Sequence, residues 1–132
     1  MLNLFPNLLT YGFFAPTLLR LVAAGVFVYL TYVHLQRREE IGTTRFMLIG
    51  AGAWTVWVLV FVEAIIAIGL FLGYYTQVAA LLGLLMALKH FVWAKRYPRV
   101  FFLNRIDYVL LAVVCLSLLL TGAGALAMDL PL

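Results

Sequence analysis

Four apolar runs, each about as long as a lipid bilayer is thick, dominate this sequence. A helix needs about 20 mostly apolar residues to cross the roughly 30 Å hydrocarbon core, because it rises 1.5 Å per residue. The runs that meet this length cover about Ala15–Gln36, Met47–Gly73, Gln77–Ala94 and Ile106–Gly122. The connections between them are short. The sequence therefore predicts an all-α membrane protein, a four-transmembrane-helix bundle that forms a single domain over residues 1–132.

The composition agrees with a membrane location. Hydrophobic residues make up 67% of the chain and charged residues 11%, whereas soluble domains are nearer half apolar and a quarter charged. The opening residues, MLNLFPN, contain no lysine or arginine and so lack the positive start of a secretory signal. The apolar stretch that follows is broken by Pro6, Gly12 and Pro16. We interpret it as a short interfacial segment that leads into the first span.

Basic residues set the expected orientation. They lie in the first loop, at Arg37, Arg38 and Arg45, and in the third, at Lys95, Arg96, Arg99 and Arg105. The second loop, around residues 74–77, has none. Cytoplasmic loops are enriched in lysine and arginine, so we expect an integral protein of the plasma (inner) membrane with both termini outside the cytoplasm. The net charge of +4 comes from these loop residues, whose expected roles are to set the topology and to contact phospholipid headgroups. The charge therefore gives no indication of nucleic-acid binding.

A single acid in the second apolar run is the main candidate for function. Glu63 lies within VWVLVFVEAIIAIGLFLGYY, roughly 15 Å below the outer tyrosines by helical rise. An unpaired charge at that depth costs about 2.5–3.5 kcal/mol on insertion scales. Arg20, in the outer half of the first run, is the predicted partner of Glu63 across the two helices. A protonated, hydrogen-bonded Glu63 is one alternative, and contact with lipid or water is another.

Polar side chains near the inner helix ends form a second candidate group, made of His34, Lys89, His90 and Asp107. We expect a solvated cluster in which Asp107, in the first turn of the last helix, complements the helix dipole. A more specific alternative is that His34 and His90 are the axial ligands of a haem b bound between the first and third spans. Two histidines are the minimum for such a site and nothing else marks one, so we do not expect haem b.

Other kinds of chemistry are poorly represented. The chain has one cysteine, Cys115, which excludes an intramolecular disulfide and a CxxC redox pair. The sequence has no glycine-rich phosphate loop, no HExxH motif and no Ser–His–Asp set. Its histidines and cysteine are not clustered, so we expect no metal site. The residues therefore indicate no particular enzyme class.

Three sequence elements together resemble the DoxX family of small four-helix membrane proteins. They are LLRLVAAGVFVYL with Arg20 and Gly25, VEAIIAIGLFLGYYTQVAALL with Glu63, Gly73 and Thr76, and TGAGALAMD with Gly122, Gly124 and Asp129. The resemblance covers almost the whole chain. It implies a quinone-linked redox role, or a membrane partner for a redox enzyme, with quinone as the expected cofactor.

The same resemblance implies a functional set of residues. Arg20, Glu63 and Asp129 would bind a ligand or relay protons, and the glycine-rich tail would fold back over the outer mouth to bring Asp129 near Arg20. An exposed tail carboxylate is the alternative for Asp129, as is usual near a chain terminus.

Three functions follow from these observations. The leading one is a membrane subunit or partner of a quinone-linked oxidoreductase that binds a quinone-like ligand near an Arg20–Glu63 pair. The second is a small-solute or ion transporter or channel, acting as a homo-oligomer because a single four-helix bundle has little room for a pore. The third is a non-catalytic membrane scaffold whose polar pairs are purely structural.

Overall fold

The structure is all-helical over the residues it describes. It is a computed structural model, and it describes residues 5–45 and 52–128. A 3₁₀ helix, Pro6–Phe14, leads directly into the first α-helix. The α-helices are α1 (Ala15–Gln36), α2 (Arg38–Thr43), α3 (Ala53–Leu72), α4 (Thr76–Ala94) and α5 (Arg105–Thr121). No strand occurs within these two ranges.

The predicted apolar runs correspond closely to the long helices. The first run has the bounds of α1, the third begins one residue after α4 does, and the fourth is displaced by one residue from α5. The part of the second run at residues 47–51 lies outside the described residues. Within the two described ranges, three segments are long and apolar enough to cross a membrane: Pro6–Gln36, Ala53–Leu72 and Thr76–Ala94. A fourth crossing by α5, which has 17 residues, stays a prediction.

Helix ends follow from local sequence. Pro16 stands in the first turn of α1, where its missing N–H has no helical partner to lose. Gly73 ends α3 with a φ of +67°, a left-handed conformation that glycine adopts without a Cβ penalty. The backbone N–H of Asn104 donates to Asp107 Oδ2 at 3.2 Å, which closes the first turn of α5. Asp107 therefore acts at the start of a helix, as its position in the sequence indicates.

The four long helices among the described residues form a closed ring. Helix α1 packs on α3, α3 on α4, α4 on α5, and α5 on α1. Gly83 of α4 lies at a close approach of three helices, because a Cβ there would lie 3.0 Å from Cys115 Sγ and 3.1 Å from the Phe27 ring. Small residues allow this kind of close contact between membrane helices. The interior of the ring is thus fully packed at the level of Gly83.

Apolar side chains cover the outside of the ring, whereas several polar ones lie inside it. Phe61, Phe71 and Val92 are all more than 60% exposed. An exposed apolar surface of this kind is typical of contact with lipid. The buried polar and charged side chains are Thr17, Arg20, His34, Thr55, Glu63, Thr76 and His90. The fold therefore turns its polar groups inward, away from the surface that would face a bilayer.

Candidate functional site

Glu63 is buried at the centre of α3 and contacts two histidines. Its Oε2 lies 2.8 Å from His34 Nδ1 on α1, and its Oε1 lies 3.2 Å from His90 Nε2 on α4. All three side chains are 0% exposed. The acid at mid-depth in the second apolar run is therefore partnered by both histidines of the chain.

Aromatic stacking extends this group to the fourth helix of the ring. The His34 and His90 rings are nearly parallel, with centroids 5.8 Å apart and an interplanar angle of 11°. The His90 ring also stacks on Tyr108 of α5, with centroids 5.3 Å apart and an interplanar angle of 10°. Each of the four long helices thus contributes one side chain. We refer to His34, Glu63, His90 and Tyr108 as the polar centre.

The connection between α4 and α5 covers the end of the polar centre. Phe101, which is 3% exposed, meets the His90 ring edge-on at 4.8 Å. Phe102 meets the His34 ring edge-on at 6.2 Å. Arg37 Nη1 donates to the Arg99 carbonyl at 3.3 Å and so links the two basic connections. An aromatic layer therefore separates the polar centre from the charged loops.

A backbone hydrogen bond fixes the orientation of His90. Its Nδ1 lies 2.7 Å from the Met86 carbonyl oxygen, and since a carbonyl can only accept, Nδ1 is the donor. In a neutral imidazole the other nitrogen, Nε2, then carries a lone pair. That lone pair faces Glu63 Oε1, which is also an acceptor in a carboxylate. The contact between them requires a positive charge, either a proton on one of the two groups or a bound cation.

Arg20 lies at the opposite end of the ring, which corrects the predicted Arg20–Glu63 pair. Its guanidinium occupies the space where a Cβ of Gly73 would stand, and its Nη2 donates to the Leu126 carbonyl at 3.2 Å. Arg20 and His34 are fourteen positions apart on α1, about 21 Å along the axis. Arg20 reaches the Gly73 end of α3, whereas Glu63, ten residues or about 15 Å earlier in that helix, is held by the histidines.

The tail after α5 folds back over the end of the ring that holds Arg20 and Gly73, as far as the structure describes it. The Ala125 carbonyl accepts a hydrogen bond from the Thr17 hydroxyl, and the Met128 N–H donates to the Leu72 carbonyl at 3.4 Å. Gly122 and Gly124, with φ values of +80° and +71°, supply the bends. The tail therefore covers Arg20, which is 2% exposed. Asp129 itself lies outside the described residues.

The predicted inner cluster is divided. His34 and His90 come together, but they are fully buried rather than solvated. The Asp107 carboxylate caps α5 instead, and the Lys89 ammonium lies 5.7 Å from the centroid of the Trp93 ring. The two imidazoles stack face to face around one carboxylate. Axial ligands of a haem would instead point a nitrogen at the iron from opposite sides.

A groove between α3 and α4 lies directly beside the polar centre. It has a volume of about 320 Å³ and is lined by Trp54, Thr55, Val58, Leu59, Val62, Met86, Lys89, Trp93 and Phe101. The lining is mostly apolar and aromatic, with Lys89 as its charged residue. Thr55 Oγ1 is buried and has no hydrogen-bond partner among the described residues. Phe101 contacts His90 and also lines the groove. Phe101 is therefore shared between the groove and the polar centre.

The sequence predicted neither the His–Glu–His contact nor the groove. The available signal was that His34 and His90 stand at similar distances from the inner ends of their helices, with Glu63 the one acid inside an apolar run. The assembled groups can donate and accept hydrogen bonds, hold a cation and enclose an apolar ring. Comparison of the chain with protein-family models, with curated proteins and with solved structures gives no match.

Proposed function

We propose that the chain is an integral membrane protein that binds a quinone-type ligand in the groove between α3 and α4, as a membrane subunit or partner of an oxidoreductase. In this proposal all four long helices cross the plasma (inner) membrane, the two basic connections face the cytoplasm and both termini lie outside. The 17 residues of α5 rise about 26 Å, close to the roughly 30 Å hydrocarbon thickness. Its packing on both α4 and α1 supports a fourth span.

The observation that carries the proposal is the chemistry of the groove. A quinone head is a flat, largely apolar ring with two carbonyl acceptors. The groove offers it the aromatic side chains of Trp54, Trp93 and Phe101, and one charged donor, the Lys89 ammonium. Its volume of about 320 Å³ is at the lower end of the range for small-molecule sites, which are mostly apolar with a few placed polar groups.

The proposed site replaces the one expected beside Arg20. Arg20 is covered by the tail and contacts Leu126 and Gly73, so its surroundings leave little room for a ring. The groove lies between helices on the lipid-facing side, where a ligand with an apolar tail can enter without crossing water. The DoxX resemblance points to the same ligand class and to a redox partner, which would exchange electrons with the bound quinone.

Quinone content of the purified protein tests the proposal. The protein is extracted into native nanodiscs, and quinone per chain is measured by mass spectrometry against the quinone of the surrounding lipid. Lys89→Met removes a donor, Val58→Trp fills the groove, and Lys95→Met is the matched control because Lys95 is exposed in a loop. We expect enrichment in the wild type and in Lys95→Met, and loss of it in both groove variants.

Two results would contradict the proposal. One is a wild-type quinone content no higher than that of bulk lipid. The other is enrichment that persists in Val58→Trp, which would place the quinone elsewhere. A phospholipid retained in the groove, and lost in Val58→Trp, would identify a lipid as the occupant and favour the scaffold or transporter alternatives.

A further inference from the structure

We infer that His34, Glu63 and His90 form a binding site for a divalent first-row transition metal ion. The inference goes beyond quinone binding and does not depend on it, because it concerns different side chains. Each of the three residues offers one ligand atom, and these atoms all lie within 4.8 Å of one another. The three residues come from α1, α3 and α4, so the ring of helices itself builds the site.

The distances suit a single ion. Imidazole nitrogen and carboxylate oxygen bind zinc at about 2.0–2.2 Å, so two ligands on one ion lie roughly 3–3.5 Å apart. The His90 Nε2 to Glu63 Oε1 distance is 3.2 Å, and the His34 Nδ1 to Glu63 Oε2 distance is 2.8 Å. Small side-chain adjustments would place all three ligands around one metal ion.

Hydrogen bonding around His90 adds an independent observation. A metal-bound histidine almost always donates its other ring N–H to a carbonyl or carboxylate, which fixes the tautomer and aims the lone pair at the ion. His90 Nδ1 does this with the Met86 carbonyl at 2.7 Å. The freed Nε2, buried and without a hydrogen bond among the described residues, faces a carboxylate oxygen that also lacks one. A cation bound by both atoms satisfies both acceptors.

The ligand set indicates which metals fit. Two imidazoles and one carboxylate suit Zn²⁺, Fe²⁺ or Co²⁺, whereas Cu⁺ prefers thiolates and Ca²⁺ or Mg²⁺ prefers oxygen ligands. Three protein ligands leave a coordination position for water or another small oxygen ligand, as in catalytic zinc and non-haem iron sites. Phe101 and Tyr108 close the surroundings. The chemistry is that of an enclosed, low-coordination metal centre.

Metal content and cobalt spectroscopy test the inference on the whole protein. The chain has two histidines, so a tag without histidine ensures that histidine-bound metal reports this site alone. We expect about one zinc or iron ion per chain in elemental analysis, in line with a three-ligand site. After removal of metal with a chelator, added Co²⁺ should give the visible ligand-field bands of a four- or five-coordinate site. Negligible metal together with the spectrum of free aqueous Co²⁺ would overturn the inference and leave a proton between Glu63 and the histidines.

Variants locate the ion. Glu63→Gln, and the double variant His34→Gln/His90→Gln, should weaken Zn²⁺ binding by at least the 10- to 100-fold that loss of an outer-shell partner costs. Glu39→Gln is the matched control, since Glu39 is an exposed acid at the start of α2, and should bind as the wild type does. Undiminished binding by a correctly folded double variant would overturn the assignment. If the variants do not fold, the wild-type cobalt spectrum still decides, and the quinone test is unaffected because it uses Lys89 and Val58.

Discussion

His34 and Glu63 are 29 positions apart in the sequence and lie on different helices, yet His34 Nδ1 is 2.8 Å from Glu63 Oε2. The same carboxylate contacts His90, so one acid connects α1, α3 and α4. In lipid, where apolar burial does not distinguish one helix partner from another, such polar contacts contribute to helix association. Glu63 therefore links three of the four long helices that the structure describes.

The contact between His34 and Glu63 should appear as a coupling energy. In a double-mutant cycle of His34→Gln and Glu63→Gln, we expect an interaction of about 0.6–1.7 kcal/mol in the free energy of unfolding, the range measured between membrane helices. Unfolding is followed in mixed micelles. The control cycle pairs His34→Gln with Glu39→Gln and should be additive. Additivity in the first cycle to within about 0.3 kcal/mol would show that the two side chains do not interact.

Gly83 should tolerate a large side chain much less well than Gly25. A leucine at Gly83 would have to displace Cys115 and Phe27, which a Cβ already approaches to 3.0 and 3.1 Å. Overpacking of this kind costs about 1–3 kcal/mol. A Cβ at Gly25 meets nothing within 4 Å, so Gly25→Leu is the matched control. Unfolding free energies that fall equally in the two variants would argue against the close approach of α1, α4 and α5.

Gly73→Ala separates backbone strain from the Arg20 contact. Gly73 has φ +67° and ψ +36°, the left-handed region in which alanine costs about 1–2 kcal/mol. The added Cβ would also overlap the Arg20 guanidinium, so the loss of unfolding free energy should exceed that strain. In an Arg20→Ala background only the strain remains, and the loss caused by Gly73→Ala should be smaller there. Equal losses in the two backgrounds would mean that Arg20 does not occupy the corner beside Gly73.

Asp107 should affect helix stability and leave the polar centre unchanged. Its carboxylate accepts from the Asn104 N–H at 3.2 Å, so Asp107→Ala should lower the unfolding free energy by about 1 kcal/mol. The metal affinity and the histidine ring signals should stay at wild-type values. A change in those signals as large as that caused by Glu63→Gln would place Asp107 in the cluster that the sequence first suggested.

The helices could be predicted because a membrane span is specified by length and composition alone. The Ala15–Gln36 run has the same bounds as α1. Asp107 was interpreted as a helix-start acid from its position in the first turn. Both features are local in sequence, so no knowledge of helix packing was needed. The fold-back of the tail joins distant parts of the chain and was expected only from the DoxX resemblance.

The partner of Glu63 could not be predicted in this way. At about 15 Å from Tyr74 and Tyr75 along the helix, Glu63 lies near the middle of α3, within range of polar groups from either end. Opposite charge favoured Arg20, but the rotation and axial shift of α1 against α3 bring His34 to Glu63 and Arg20 to Gly73. Those two quantities depend on side-chain packing between helices. The groove beside Lys89 depends on the same packing and was not predicted either.

Nitrogen-15 NMR of histidine-labelled protein tests the polar centre most directly, since the chain has only two histidines. The spectra are recorded on chelator-treated protein. We expect the ring signals of both His34 and His90 to shift in Glu63→Gln and to stay unchanged in Glu39→Gln, with His90 Nδ1 carrying the proton bonded to Met86. Ring signals that stay unchanged in Glu63→Gln and match those of two independent, solvent-exposed imidazoles would contradict the buried His34–Glu63–His90 arrangement.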